Sequence, residues 1–188
     1  MRVDLDSFEQ FYRADRDPWD FTTSPYEQRK YDLTVTSLPR RRQYQRCFEP
    51  GCSIGALTAR LAMVATEVVA LEASPTAAAT AVTRLGAFPN VSVHNGSIPE
   101  HWPDGEFDLI VFSEIGYYWD RPELTTIVER ARGCLQPEGH LVGVHWLGNS
   151  DDHLLNGSEV HEIIAGRLGS PIVQHAEPEF LLDVWEKA

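Results

Sequence analysis

From residue 47 onward, short runs rich in β-forming residues take turns with longer segments whose apolar positions recur every three or four residues. That alternation predicts βαβ units built around a parallel sheet. CFE (47–49) closes a first strand, and ALTARLAMV (56–64) has helical spacing. EVVALE (67–72) reads as a second strand, and SPTAAATAVTRL (74–85) as a helix opened by a serine cap and a proline. VSVHN (91–95) is a third strand. FDLIVFSE (107–114) is nearly continuous in apolar character, as expected of a central fourth strand covered on both faces. RPELTTIVERARGCL (121–135) returns to helical spacing, and the turn QPEG feeds HLVGVHW (140–146), a fifth strand. After a helix at SEVHEIIAGRL (158–168), PIVQHA and EFLLDVWEK are two extended runs so close together that they predict an antiparallel hairpin added to the parallel sheet.

With 188 residues, 43% of them hydrophobic, the chain is long enough for one well-buried domain and too short for two of ordinary size. The net charge of −12 argues against a nucleic-acid partner, since neutralising phosphates takes clustered Lys and Arg. The basic run Arg40-Arg41-Arg42 with Arg46 reads as a solvated face or helix end. Cys47, Cys52 and Cys134 form no Cys-x-x-Cys pair and no even set, which fits a reduced, cytoplasmic protein. The N-terminus carries no apolar core of signal-peptide length, and no run approaches the roughly 18 apolar residues of a membrane span, so no membrane partner is expected.

The chemistry is concentrated at EPGCSIG (49–55), whose two glycines stand where the first strand should turn into the first helix. Such a turn brings backbone N–H groups close to a ligand. Gly51-x-Ser53-x-x-Ala56 is a degraded dinucleotide fingerprint, and Glu72 falls about where a ribose-binding acid belongs. Glu49, however, sits at the mouth of the turn, where its charge would repel a pyrophosphate. A cationic ligand without phosphate avoids that conflict. S-adenosylmethionine (SAM) is one: Glu49 would favour its methionyl end, and Glu72 would accept both ribose hydroxyls.

EPGCSIGALT, LEASP, FDLIVFSEIGYYW and LQPEGHLVGVHW stand in the order found in class I SAM-dependent methyltransferases. The N-terminal segment DPWDFTTSPYEQRKYDLT (17–34), the GCSIG turn, SEIGYYW and VHW more narrowly resemble the NodS-like family of nodulation-factor N-methyltransferases. The resemblance implies an α/β, single-domain Rossmann-like fold over 1–188: a seven-stranded, mostly parallel sheet with a C-terminal antiparallel hairpin, residues 1–44 forming a helical lid and 45–188 the core. It implies SAM as cofactor, with S-adenosylhomocysteine as product. Carried over by position, Glu49, Gly51, Cys52, Ser53 and Gly55 line the methionyl part, Glu72 and Ala73 the ribose, and Ser97 and Ile98 the adenine. Ser113 joins the cofactor set, Trp19 and Tyr26 close the site, and Lys30 lies near the methionyl carboxylate. Two departures stand out: Ser97 where similar proteins often have an acid, and Gly116 where a larger apolar residue is common.

An amine acceptor must be neutral to attack, while a free alkylammonium has a pKa of ~10, so a base beside the acceptor is expected. His145 and Glu114 are the candidates for that base, with Tyr117 orienting the lone pair. HEIIA (161–165) begins like a zinc motif, but Ala165 replaces the second histidine, so no metal site is expected and His161 reads as a helix-surface or pocket-rim residue. The polar edges SEIGYY (113–118) and VHWLGNSDDH (144–153) suit a small polar acceptor, most simply an amine of an amino-sugar-like molecule. O-methylation of a small metabolite and a non-catalytic SAM-binding module remain as alternatives. An NAD-dependent oxidoreductase is disfavoured by Glu49 and by the lack of a separate substrate domain.

Overall fold

Capping chemistry decides where the helices begin. The structure, a computed structural model, describes residues 5–39 and 43–188. After α1 (Leu5–Ala14), each longer helix opens on a side chain that accepts from the backbone N–H three residues on: Ser24 for α2 (Pro25–Thr36), Ser74 for α4 (Pro75–Arg84), Asp120 for α5 (Arg121–Cys134) and Asn156 for α6 (Gly157–Leu168). Asn156 and Glu159 complete a reciprocal capping box, with the two bonds at 2.9 and 3.0 Å. Each such cap contributes about 1 kcal/mol.

The chain packs as two compact units, Asp4–Pro103 and a second built from Asp104–Ala188. In the first, β1 (Tyr44–Pro50), β2 (Ala65–Glu72) and β3 (Val91–Asn95) pair in parallel in the order β3-β2-β1. In the second, β4 (Phe107–Ser113) pairs in parallel with β5 (Leu135–Trp146), and β7 (Phe180–Glu186) runs antiparallel between β5 and β6 (Val173–Ala176). With three parallel strands in the first unit and, in the second, β7 antiparallel between β5 and β6, the strands form the α/β arrangement with a C-terminal antiparallel hairpin that the hydrophobic pattern predicts. Phe107 and Leu109–Phe112 of β4 are wholly buried, as a strand covered on both faces requires.

The structure differs from the sequence pattern in two local ways. The helix expected over 56–64 shrinks to the single turn α3 (Thr58–Leu61), flanked by tight bonds from Arg60 N to Leu57 O and Met63 N to Arg60 O. No side chain caps its start, so helical spacing alone does not extend it. QPEG (136–139) is not a turn before β5 but an irregularity inside it: the register against β4 shifts between Phe107 and Leu109, and Glu138 takes φ +58°. Lys187 closes the bulge, accepting from Glu138 N–H at 2.9 Å and donating its own N–H to Gly139 O at 2.8 Å. The basic run at 40–42 lies outside the described residues; Arg46 pairs with Glu67 of the neighbouring strand at 3.2 Å. Among the described residues, no helix is long and apolar enough to cross a membrane.

Helix α1 is fastened to the N-terminus of α4 by Glu9. Its carboxylate accepts from the Ser74 and Thr76 hydroxyls at 2.6 and 2.7 Å and from Thr76 N–H at 3.2 Å. A negative charge at a helix N-terminus is favourable in itself, and these hydroxyl bonds hold the Glu9 carboxyl down at about 2, against an ordinary 4.5. A lowered carboxyl stabilises the docked state above the ordinary carboxylate range, and that contribution is lost as pH falls toward about 2. Amide-exchange protection in α1 should therefore drop between pH 4.5 and 2 in the wild type. In Glu9→Gln it should already be reduced at neutral pH and show no such acid step; equal protection in the two proteins at pH 7 would refute the fastening role.

Candidate active site

The first unit assembles its cluster at the end of β1. Gly51, Ser53 and Gly55 all take positive φ, +75°, +52° and +81°, so the loop coils tightly. Gly55 has a second reason to be glycine: a Cβ there would lie 2.7 Å from Leu85 Cδ1. Gly51 and Cys52 N–H both reach Leu71 O, at 2.7 and 3.0 Å. Glu72, at the end of β2, clasps two backbone donors: its Oε2 accepts from Ser53 N–H at 2.8 Å and its Oε1 from Ser74 N–H at 2.7 Å. The Ser53 donor that a phosphate-binding loop would offer its ligand is thus already held by a protein carboxylate, and those of Gly51 and Cys52 by a backbone carbonyl.

Glu49 is only 2% exposed, and its Oε2 has no hydrogen-bond partner among the described residues. Burial, eased by the Thr58 hydroxyl and reinforced by the charge of Glu72, raises its carboxyl to about 8. An orphaned buried acid of this kind fits a cationic ligand, which would supply the missing partner and restore the charge. Burial likewise raises the Glu72 carboxyl, against the pull of its backbone bonds, and pushes the Cys52 thiol well above its usual value. Cys52 therefore serves as packing, not as a nucleophile.

The N-terminal aromatics divide differently from expectation. Trp19 is 41% exposed and sits among Phe8, Phe11, Tyr12 and Phe21, stacked on Phe21 at 5.6 Å. It pins the segment. The residue that reaches the glycine turn is Tyr12, whose hydroxyl lies 2.5 Å from Ser53 Oγ. Sequence reasoning passed over Tyr12 and Glu9, although Phe8, Phe11 and Tyr12 share one face at helical spacing. On α2, the Lys30 ammonium sits 4.9 Å from the Tyr26 ring centre and 3.0 Å from Glu27 Oε1, in a buried pair. Ala73 O and Glu72 O are both held by Asn95 Nδ2. After β3, Ser97 N–H donates to His101 Nδ1 at 3.3 Å, and Ile98 is buried.

The second unit gathers its own cluster beyond β4, directly after the half-buried Ser113. Glu114 takes φ +55°, a left-handed conformation costing a non-glycine residue roughly 1–2 kcal/mol, and its Oε2 accepts from the Tyr117 hydroxyl at 2.5 Å and Trp146 N–H at 3.0 Å. Tyr117 is stacked on His153 at 3.7 Å and meets Tyr118 edge-on at 4.9 Å; Trp146 stands edge-on to His153 at 6.2 Å. Burial lowers the His153 pKa, so this imidazole stays neutral near pH 7.

His145 is wholly buried, and both of its ring nitrogens are engaged inside the protein. Nε2 accepts from Gly116 N–H at 3.1 Å, and Nδ1 lies 3.0 Å from His161 Nε2. This corrects the expectation of a base at His145, which keeps no lone pair for an acceptor. His161 is likewise not a surface or rim residue: it is buried, with Nδ1 2.7 Å from Asp183 Oδ2.

The model of the family described as Nodulation protein S (NodS) matches residues 6–167. Nodulation protein S of Bradyrhizobium diazoefficiens is 28% identical over 127 residues, 67% of this chain and 61% of that protein. That of Azorhizobium caulinodans is 25% identical over 172 residues, 89% of this chain and 79% of that protein. The matches span about 60% of the length of the Bradyrhizobium and Sinorhizobium fredii relatives. Among solved structures, a candidate methyltransferase from Pseudomonas syringae is 40% identical, covering 86% of this chain and 98% of that one at a TM-score of 0.76. The N-methyltransferase NodS of Bradyrhizobium japonicum with S-adenosylhomocysteine covers 97% and 98%, at 22% identity and a TM-score of 0.85. The fold is therefore the Rossmann-like fold of the SAM-dependent methyltransferases. Within it, the chain belongs to the NodS family.

The state of Glu49 can be tested without any ligand. A carboxyl raised in the folded protein to about 8, from an ordinary 4.5, erodes stability as pH climbs through that interval, because the native state must hold a proton the unfolded chain gives up. Glu49→Gln lacks that penalty. Its melting temperature should exceed the wild type's by at least about 3 °C at pH 8, with the gap shrinking toward pH 5. A variant no more stable at pH 8 than at pH 5, relative to wild type, would show that Glu49 is already ionised and satisfied.

Proposed function

We propose that this protein is a SAM-dependent methyltransferase that transfers the methyl group to an amine of a small, sugar-like acceptor. The observation that carries the reading is the buried Glu49 carboxyl with its unpartnered oxygen beside the glycine turn. Glu49, Gly51, Ser53 and Gly55 would hold the methionyl part, and Glu72 with Ala73 the ribose, a carboxylate oxygen having a second lone pair beyond its backbone bond. Cys52 backs the turn, Ser97 and Ile98 border the base, and the segment of α1 and α2, with Tyr12 on Ser53, serves as the lid. Trp19, Tyr26 and Lys30 brace that lid. When bound, SAM supplies a methyl group already activated on a sulfonium, so the chain's own residues have mainly to position and deprotonate the acceptor. Positioning of that kind supplies on the order of 7–11 kcal/mol.

Glu114, fixed by Trp146 N–H, draws an ammonium and takes its proton, while the Tyr117 hydroxyl orients the resulting lone pair. The faces of Tyr117, Tyr118 and Trp146 favour a cation over a neutral hydroxyl. A neutral His153 beside them adds no competing charge. The relatives' names support the reading: the Pseudomonas syringae protein is called a candidate methyltransferase, and the Bradyrhizobium japonicum protein an N-methyltransferase.

Two outcomes are expected. Glu72→Ala should weaken SAM binding by at least roughly 1.5–3 kcal/mol in calorimetry, the usual worth of a hydrogen bond to a charged group; unchanged affinity in the folded variant would remove Glu72 from the site. Offered matched amino and hydroxyl sugar analogues with SAM, the enzyme should give a product 14 Da heavier (roughly one CH₂ added) only from the amine, at a rate rising with pH until the amine has lost its proton. Methylation of the oxygen alone would overturn the N-methyltransferase reading.

A further inference from the structure

One backbone N–H fixes every proton in the buried histidine pair. Because Gly116 N–H can only donate, His145 Nε2 must be the bare acceptor, so the neutral ring carries its proton on Nδ1. That Nδ1–H donates to His161 Nε2, which must therefore be bare, and the His161 proton sits on Nδ1, aimed at Asp183 Oδ2. The result is a one-way chain of donors, Gly116 to His145 to His161 to Asp183. It draws on four pieces of the second unit: the 3-10 turn Gly116–Tyr118, β5, α6 and β7.

We infer that this chain is a tautomer lock whose product is the placement of the 114–118 turn, and that His145, His161 and Asp183 are positioning residues for Glu114 and Tyr117, not acid–base catalysts. The inference rests on the reading that Glu114 and Tyr117 face the acceptor. Gly116 lies at the convergence of the lock and the turn. A Cβ there would stand 2.3 Å from Val160 Cγ1 and 2.8 Å from His145 Nε2, so only glycine lets the turn approach close enough to donate. The same turn carries the left-handed Glu114, whose carboxylate is shared by the Tyr117 hydroxyl and Trp146 N–H. A strained residue persists only when its surroundings over-determine it: Glu114 N–H donates to Val144 O at 2.8 Å, and the lock holds Gly116 two residues on. The absence of a side chain at Gly116 is thus the counterpart of the histidine it donates to.

The test separates the lock from the activity. In the wild type, nitrogen-15 NMR of the imidazoles should show His145 and His161 both neutral and both in the Nδ1–H form at pH 7, and the Gly116 amide should be protected from exchange. An Nε2–H form at His145, or an unprotected Gly116 amide, would overturn the lock whether or not any acceptor is turned over. With an amine acceptor in hand, His145→Leu should lower kcat up to about 100-fold, as a misplacement of about 1 Å can, while SAM affinity stays unchanged. His145→Gln, whose amide oxygen can accept the Gly116 N–H, should recover most of that loss and keep the wild-type pH profile. If His145→Gln is as slow as His145→Leu, or if its pH profile loses an ionisation, His145 acts as a base and the positioning role is wrong. If no amine is methylated, the functional reading fails while the NMR result still decides the lock.

Discussion

The clasp of Glu72 on Ser53 N–H and Ser74 N–H is the contact on which the cofactor turn depends. A loop with three positive-φ residues points backbone donors inward, and buried donors need partners. Related glycine turns find that partner in a ligand phosphate. Here the protein brings its own anion. An acid at position 49 already disfavours a dinucleotide, whose phosphates would oppose its ionisation; the structure adds that the Gly51, Cys52 and Ser53 donors are already spoken for. Glu72 thereby links the end of β2 to the loop after β1 and to the cap of α4, and Glu9 fastens α1 at the same serine.

Three acids crowd this end of the first unit, and their surroundings separate them. Glu9 is bathed in hydroxyl and N–H donors and is held at about 2. Glu72 is buried but doubly bonded to backbone, so its rise is opposed. Glu49 is buried with an oxygen left over and is raised to about 8. The last leaves a buried oxygen with no partner among the described residues. Glu9 is stabilising, Glu72 carries a burial penalty that its backbone bonds offset in part, and Glu49 carries a standing penalty of the kind that binding sites retain for function.

The elements were legible where one rule acts alone. Period-two and period-3.6 patterns, serine caps and the continuous apolar run of β4 located most strands and helices, because burial decides them. The pattern overreached at residues 56–64, where helical spacing lacked a cap, and at 136–139, where a Pro–Glu–Gly stretch that resembles a turn is stitched into β5 by the far end of β7. The second case could not be read locally, since Lys187 lies 48 residues from Gly139 in sequence. The glycine turn and its two acids were legible because their chemistry is local. Tyr12 was not, because what selects it over Trp19 is the direction each side chain takes from a shared helix face and turn.

His145 shows how a position in the sequence can suggest a role that its bonds in the fold do not support. A histidine at the end of a strand, near an acid and a tyrosine, invites assignment as a base, and nothing in its own neighbourhood along the chain argues otherwise. What decides the matter is the accounting of lone pairs, and that needs Gly116, His161 and Asp183, which lie 29 residues upstream, 16 downstream and a further 22 beyond. A motif-like HEIIA stretch drew attention to His161 for a reason that fails, the missing second histidine, while its actual partner is an aspartate on a strand it packs against. A buried polar pair costs more unsatisfied than it returns when satisfied, so a chain of this kind is kept intact only as a whole. The donor at its head is a backbone N–H that cannot titrate, and the acceptor at its foot is a carboxylate. Between two such ends the histidines have one arrangement of protons, which is what a scaffold needs and what a proton-shuttling base must not have.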